Sequence, residues 1–364
     1  MNFQPCCLAT AIGSLPHKDP GQAVKVVLEN TPNAPAWPQL PANGLNEQME
    51  AQYSEGIPRV VLDGEKGRMY IDTTGDTSAD LAEFYERYCA EDIEALRITP
   101  AFSQGIYALE SALEAAGGTR PFVKVQTTGP LSFGLSIVDQ NKRAIYYNAE
   151  FVDVIVKALA MKCRWQIRKF QPFAQQVICF VDEPILSAFG SSMYVSVTRD
   201  DIVTKLGEMI ETIHAEGALA GVHCCGNTEW PILMDAGVDI LNFDAFDYGD
   251  TILLYSEAFR GYLKEGRLLA FGIVPTNSAK IHAQTADSLT AKFLELAEKL
   301  ARATGLDAES IWRQSFITPS CGAGSLPVAD AELVFTTLCE TSAKLREKIG
   351  AAALVDSWSQ ENRR

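Results

Sequence analysis

The chain has 364 residues, of which 47% are hydrophobic and 21% charged, enough to bury a large core without disulfides. Its formal net charge of −15 argues against nucleic acid or an anionic membrane surface as a partner, because both attract an excess of Lys and Arg. No apolar run reaches the roughly 18 to 20 residues that span a bilayer. The start MNFQPCCLATAIGS also lacks the features of a signal peptide, so we expect a cytoplasmic protein.

Short runs rich in Val, Ile and Leu recur along the chain, and most are followed by ten or more residues with helical periodicity. This βα repetition predicts an α/β fold, a (β/α)₈ TIM barrel forming one domain over residues 1–350, with a C-terminal tail at 351–364. The predicted strands are Cys7 to Ile12, Ala36 to Leu40, Phe122 to Thr127, Val177 to Asp182, Ala218 to His223, Asp239 to Asn242, Leu268 to Ile273 and Ser315 to Pro319. The longer helices are predicted from Asp80 to Leu96 and within 148–170, 199–217, 285–305 and 328–350.

Two segments depart from this repeat. RVVLDGEKGRMYID, from Arg59 to Asp72, alternates on both sides of GEKG and predicts a β-hairpin inserted at residues 58–73. The segment from Thr31 to Pro41 holds four prolines around Trp37, which excludes a helix interior and leaves a loop with at most a short strand.

Nine cysteines, including the neighbours Cys6/Cys7 and Cys224/Cys225, do not form the pattern of a disulfide framework. Most are interpreted as small core residues with reduced thiols, among them Cys89, Cys163, Cys179 and Cys339.

Unusual residues follow the predicted strands, where barrel enzymes carry their working groups. His223 and Cys225 are two apart at the end of one strand and so project to the same side, and Cys321 follows the last strand. One imidazole and two thiolates predict a zinc site with an open fourth position. The alternative is a satisfied strand-end histidine beside ordinary thiols. Cys224 should point the other way, into the core.

Carboxylates and turn residues near the same edge have two interpretations each. Asp182 and Glu183 could hold a substrate ammonium or hydroxyl, or could end a strand before Pro184. Asp244 could be a weak metal ligand or a solvated carboxylate near the metal. Gly13 and Ser14 could offer backbone groups to a ligand carboxylate, or form a plain turn. The remaining histidines are interpreted as a surface loop residue (His17) and a helix-face residue (His214).

Five motifs, IGSLP, TGP, VDEP, the H-x-C of HCCGN and the SCG of TPSCGAG, occur in the order seen in the catalytic domain of cobalamin-independent methionine synthase. The chain resembles that family from Ile12 to Gly322, and is also similar to the related uroporphyrinogen decarboxylase and corrinoid methyltransferase families. The resemblance implies zinc ligation by His223, Cys225 and Cys321, with Asp244 in place of a ligating glutamate. It implies that Asp182 holds the homocysteine amino group and that Ile12 and Ser14 complete the amino-acid pocket. The implied reaction methylates the homocysteine thiolate to give methionine.

The methyl donor is left open by this resemblance. The acidic loop that follows strand two in the family is not matched, although Asn46, Glu47 and Glu50 lie nearby, and GIVPTNSAK offers Asn277 where the family has a late histidine. The chain is about half the size of the two-barrel synthase, so the donor could be a methyl-tetrahydrofolate, methylcobalamin or a corrinoid protein. The implied partners are a small-molecule thiol, a corrinoid protein and a second copy in a homodimer.

Two other functions remain open. A uroporphyrinogen-decarboxylase-like lyase would rely on Asp182 without metal, although IGSLPHKDP offers no Arg cluster for a polycarboxylate substrate. A non-catalytic corrinoid-binding or partner-binding barrel would use zinc structurally, but closed structural sites normally have four strong ligands. Uptake of added thiols by the metal would distinguish an open from a closed site.

Overall fold

A parallel sheet curled into a half-barrel and flanked by helices forms the centre of the molecule. The computed structural model describes residues 4–191 and 196–350, so the predicted tail at 351–364 lies outside the described residues. Within them, seven strands form the sheet in the order β1-β10-β9-β8-β7-β6-β4, and all neighbours are parallel. Its strands are β1 (Leu8–Ala9), β4 (Arg120–Thr128), β6 (Ala174–Asp182), β7 (Leu219–Cys224), β8 (Ile240–Phe243), β9 (Leu268–Val274) and β10 (Ser315–Pro319). The prediction of an α/β, TIM-like barrel is confirmed.

The predicted second strand, Ala36 to Leu40, is not a regular strand. It makes two isolated bridges, Ala36 with Lys124 and Gln39 with Ser14, and its prolines cannot donate ladder hydrogen bonds. The segment nevertheless lies between β1 and β4, since Lys124 N donates to Pro35 O at 2.8 Å and Gln39 N to Gly13 O at 3.0 Å. An extended loop therefore occupies the place predicted for an eighth strand.

Strand β1 is also shorter than predicted. Cys6 and Cys7 have φ values of 50° and 59°, so the chain is left-handed there and the strand begins only at Leu8.

Helices pack on the outer face of the sheet. They are α1 (Pro20–Asn30), α2 (Met49–Gln52), α3 (Ser78–Cys89), α4 (Gln104–Ala116), α5 (Pro130–Ser136), α6 (Ala149–Phe170), α7 (Arg199–Ala215), α8 (Trp230–Asp235), α9 (Ala245–Tyr248), α10 (Ser256–Lys264), α11 (Ser278–Ile281), α12 (Ala286–Thr304), α13 (Ala308–Arg313) and α14 (Val328–Lys348). The helix predicted from Asp80 to Leu96 is interrupted: α3 ends at Cys89, Glu91 has a φ of 54°, and a 3₁₀ turn follows at Ile93–Leu96. No helix among the described residues is long and apolar enough to cross a membrane.

The predicted hairpin is confirmed. Strands β2 (Val60–Asp63) and β3 (Arg68–Ile71) pair antiparallel, and β5 (Val138–Asp139) adds a third strand beside β3.

The barrel interior is apolar at its amino-terminal end and polar at its carboxyl end. Phe122 and Phe316 meet across the interior with ring centroids 5.2 Å apart, within a buried cluster that also includes Phe180 and Ile240. The opposite end holds buried polar residues such as Asp182 and His223. The core thus fixes the barrel and leaves the carboxyl end of its strands for chemistry.

Most cysteines are where the sequence placed them. Cys163, Cys179 and Cys224 are buried, whereas Cys339 is half-buried. Cys89 is exposed, so its assignment to the core was wrong: as the last residue of α3 it lies where that helix leaves the core.

Candidate metal centre

Three side chains that could hold a metal ion meet at the carboxyl end of the barrel. His223 lies near the end of β7, Cys225 just follows it, and Cys321 follows β10. Their ligand atoms all lie within 4.8 Å of one another, the only such group among residues 4–191 and 196–350. The predicted convergence of the three residues is therefore present in the structure, and Cys224 points away into the core, fully buried.

A hydrogen-bond chain orients the imidazole of His223. Its Nδ1 lies 2.6 Å from Oδ1 of Asn242, while Nδ2 of Asn242 donates to Ala270 O at 2.8 Å and Thr318 Oγ1 at 2.9 Å. A carbonyl oxygen only accepts, so Ala270 fixes which end of the Asn242 amide faces the ring. Nδ1 of His223 must then carry the proton, and Nε2 keeps its lone pair. Nε2 is buried and makes no hydrogen bond in the described part of the chain, the state of a histidine prepared for a metal.

The thiols of Cys225 and Cys321 have pKa values shifted in opposite directions. A hydrogen bond from Cys321 lowers the pKa of Cys225. The same contact and burial raise the pKa of Cys321. Cys225 therefore loses its proton more readily than Cys321, and a bound metal would displace the remaining thiol proton.

Asp182, at the end of β6, is the nearest carboxylate to this group in the sheet, paired in register with His223. Its side chain is buried, and Oδ1 has no hydrogen-bond partner among the described residues. Burial raises the pKa of Asp182 to about 6, although the nearby Lys124 ammonium opposes the shift. An unpartnered buried carboxylate needs a cationic or hydrogen-bonding ligand.

Glu183 has a structural role that differs from that of Asp182. Its carboxylate accepts from Leu131 N at 2.9 Å, Ser132 N at 2.8 Å and Ser132 Oγ at 2.6 Å, at the start of helix α5. The side chain is completely buried and does not line the cavity described next. Its oxygens therefore anchor a helix, and the side chain lies outside the cavity where the substrate contact was expected.

A cavity of about 490 Å³, here called the first cavity, opens above the three metal-type ligands. Ile12, Ser14 and Asp182, all expected near a substrate, line it. The loop between residues 39 and 49 supplies a further wall, formed by Gln39, Pro41, Ala42, Glu47, Gln48 and Met49.

The loop after β1 is fixed from two sides. Lys124 Nζ donates to Ile12 O at 2.7 Å from inside the barrel, and Gly324 N donates to Ser14 Oγ at 3.2 Å. A Cβ on Gly322 would come within 2.1 Å of Ser14 Oγ, so a larger residue there would displace the Ser14 hydroxyl from this position. The hydroxyl proton of Ser14 remains available to the cavity.

Glu47 is a cavity residue for which the sequence analysis predicted no role. It is buried, with Oε1 accepting from Gln104 N at 2.9 Å and Oε2 from Gln52 Nε2 at 3.2 Å, and burial raises its pKa. Asn242 and Lys124 were missed as well. Both are polar residues in otherwise apolar strands, ILNF and FVKV, and that interruption is the signal that could have found them.

The other expected residues lie apart from the metal group. Asp244 accepts from Asp247 N at 2.9 Å and caps α9, and it lines no wall of the first cavity. His17 is buried against Glu332 at 3.3 Å, so its assignment to the surface was wrong. His214 lies on α7 as expected, paired with Asp239 at 2.7 Å.

The donor set fits zinc. One imidazole nitrogen and two cysteine sulfurs are ligands that zinc prefers, and three protein ligands beside a cavity match an open site with room for a fourth ligand. The fold and this group together define a TIM-like barrel with a candidate His-Cys-Cys metal site.

Comparison with known proteins supports the fold alone. No family model and no curated protein matches the chain. Among solved structures, a B12-independent methionine synthase from Shewanella sp. W3-18-1, solved in complex with selenomethionine, is similar with a TM-score of 0.54 and 12% sequence identity, over 94% of this chain and 99% of that chain. A glycoside hydrolase in complex with a cellotriose matches at a TM-score of 0.40 with 11% identity, over 91% of this chain and 99% of that one. At these identities the likeness extends to the barrel and not to an activity.

Proposed function

We propose that the protein is a zinc-dependent methyltransferase that methylates a small thiol of the homocysteine class. The observation that carries this proposal is the buried, unpartnered Nε2 of His223 beside Cys225 and Cys321 at the base of the first cavity. The structurally similar methionine synthase, solved in complex with selenomethionine, agrees with it.

The chain's own residues would bind and orient an amino-acid thiol. Asp182 has a free oxygen, and Glu47 lines the same cavity with a buried carboxylate; together they suit an ammonium group. The Ser14 hydroxyl could donate to the acceptor's carboxylate. An acceptor held this way directs its side-chain sulfur toward Cys225 and Cys321.

Bound zinc would supply a Lewis acid that takes the place of the thiol proton and keeps the acceptor sulfur nucleophilic at neutral pH. Asn242 would keep the His223 ring in its ligating tautomer. The largely apolar wall around Met49 would exclude water from the sulfur.

Zinc content and sulfur coordination test the proposal. We expect one zinc per chain in the wild type and loss of that zinc in Cys225→Ser and Cys321→Ser, while Cys89→Ser, a control at an exposed thiol, keeps it. X-ray absorption should show an additional sulfur ligand when homocysteine is added. A folded wild type that takes up no zinc would remove this function.

The alternatives have less support. Neither Arg nor Lys lines the first cavity among the described residues, which disfavours a polycarboxylate substrate for a decarboxylase. No fourth His, Cys, Asp or Glu joins the metal group in the described chain, which disfavours a closed structural site.

A further inference from the structure

A second cavity, of about 700 Å³, is also lined by Cys225. Cys225 is the one described residue that lines both cavities. Methyl transfer needs the acceptor sulfur and the leaving group on opposite sides of the methyl carbon. An acceptor in the first cavity leaves the second cavity as the approach for the methyl donor.

The walls of the second cavity are held by specific contacts. Thr228 Oγ1 donates to Leu186 O at 3.0 Å, which ties the loop after β7 to the loop after β6. Within the latter loop, Ser187 Oγ donates to Pro184 O at 2.8 Å. A Cβ on Gly226 would come within 2.6 Å of Ser187 Cβ. The cap that Asp244 places on α9 positions Tyr248 at the helix end. Hydrogen bonds within and between these loops therefore shape the cavity.

Its lining is aromatic and acidic. Phe189, Tyr248 and Tyr255 contribute rings, Glu229 is its only charged side chain, and no Lys, Arg or His belongs to the described lining. Aromatic faces with a carboxylate attract quaternary and other onium cations, whereas phosphates and polycarboxylates need basic partners. The net charge of −15 also favours the approach of cations.

The cavity offers no histidine to protonate a leaving group. The chain has four histidines: His17 is paired with Glu332, His214 with Asp239 and His282 with Asp330, and His223 belongs to the metal group. A methyl group on a neutral amine needs an acid because its nitrogen leaves as an anion otherwise. A methyl group on a positively charged sulfur or nitrogen needs none.

We propose that the second cavity binds a methylated onium ion, a sulfonium or quaternary ammonium, as the methyl donor. This inference rests on the proposed thiol methylation. A lone pair of the acceptor thiolate forms the new S–CH₃ bond as the C–S⁺ or C–N⁺ bond breaks. The bonding pair stays on the donor heteroatom, which leaves as a neutral thioether or tertiary amine, and no proton moves.

Binding by the full-length, zinc-loaded protein tests this without catalysis. Calorimetry would compare choline with its uncharged carbon isostere 3,3-dimethylbutanol, and S-methylmethionine with methionine. We expect at least one cation to bind about tenfold or more tighter than its neutral counterpart. Methyl transfer to homocysteine from S-methylmethionine or from glycine betaine then distinguishes a sulfonium from an ammonium donor.

Variants of residues that line the second cavity test whether the cation binds there. Tyr255→Leu and Glu229→Gln should each weaken cation binding by about fivefold or more. The matched controls are Tyr147→Leu and Glu257→Gln, at an exposed tyrosine and glutamate outside both cavities, and they should leave it unchanged.

Equal affinity for the charged and neutral ligands would overturn the inference, as would cation binding that both cavity variants leave intact. Binding of 5-methyltetrahydrofolate or methylcobalamin that depends on Tyr255, in place of the cations, would overturn it too. A protein that binds zinc and homocysteine but no onium ion refutes only the donor, whereas a protein without zinc refutes the thiol methylation itself.

Discussion

Asn242 links the metal chemistry of His223 to the barrel interior. Its carbonyl oxygen accepts a hydrogen bond from Nδ1–H of His223, while its amide nitrogen donates to Ala270 O and Thr318 Oγ1 on the two following strands. The imidazole therefore has one tautomer and one ring orientation before any metal arrives. Hydrogen-bond partners of this kind typically raise metal affinity by about 10- to 100-fold.

Replacing Asn242 should weaken zinc binding without removing a ligand. For Asn242→Ala we expect the zinc dissociation constant to rise by about 10- to 100-fold, measured by competition with a chromophoric chelator. Thr318→Val is the control, because it removes one partner of the amide nitrogen and keeps the bond to His223. An equal loss of affinity in both variants would show that general packing, and not the tautomer, sets the affinity.

At the scale of elements, helix α5 depends on a carboxylate from a neighbouring strand end. Glu183 satisfies two backbone N–H groups in its first turn, where a negative charge also suits the helix dipole. The ideal Cβ of an alanine at Gly129, just before the helix, would lie 2.1 Å from Glu183 Cδ. The loop after β4 and the end of β6 can thus approach only through a glycine.

Gly129→Ala should displace Glu183 from the helix. We expect a loss of about 2 to 3 kcal/mol in the free energy of unfolding, from overpacking and from lost hydrogen bonds, measured by chemical denaturation. Gly207→Ala provides the comparison, since it lies inside α7 with nothing within 4 Å of the added atom, and should be neutral or stabilising by up to about 1 kcal/mol. A Gly129→Ala protein as stable as the wild type would contradict this account.

Strands and helices with a regular hydrophobic pattern could be predicted from the sequence. Segments whose conformation depends on contacts with residues distant in the sequence could not. β6 and β9 are apolar runs ended by polar turns, and the structure has them close to where the pattern predicts. The segment around Trp37 lies as a strand would, but its prolines limit it to two bridges. Its position depends on Lys124 and Gly13, which no local pattern records.

The residues of the candidate metal centre also divide into those that the sequence predicts and those that depend on distant partners. His223, Cys225 and Cys321 could be predicted to meet, because parallel strands end on one edge of a barrel. The use of Glu183 for a helix and the inward position of His17 could not, since both depend on partners far away in sequence, Ser132 and Glu332. Zinc itself stays a prediction.

The stability of the whole barrel should depend on pH through Lys124. This lysine is completely buried, donates to Ile12 O and lies 4.5 Å from the centre of the Phe180 ring. Burial lowers the pKa of Lys124 to about 8, although Asp182 opposes the shift. An unfolded chain keeps a lysine protonated to about pH 10.4, so above pH 8 the unfolded state binds more protons than the folded state and stability rises with pH.

Comparing the wild type with Lys124→Met isolates that contribution. The difference in unfolding free energy, wild type minus variant, should become more favourable to the wild type by roughly 1 to 3 kcal/mol between pH 7.5 and 10, measured by denaturation at each pH. The same comparison for Lys25→Met, at an exposed lysine of α1, should stay flat. If the difference in unfolding free energy between wild type and Lys124→Met does not change with pH, the Lys124 ammonium is not desolvated.

The position of Cys321 gives the metal site an order of assembly. A growing chain presents His223 and Cys225 nearly a hundred residues before Cys321, and β10 must insert between β1 and β9 before that thiol comes into place. Two ligands on an unfinished barrel hold zinc weakly, because a third donor is absent. If the site binds zinc as proposed, firm capture has to wait until the last strand has docked, and a chain truncated before that strand would not retain the metal.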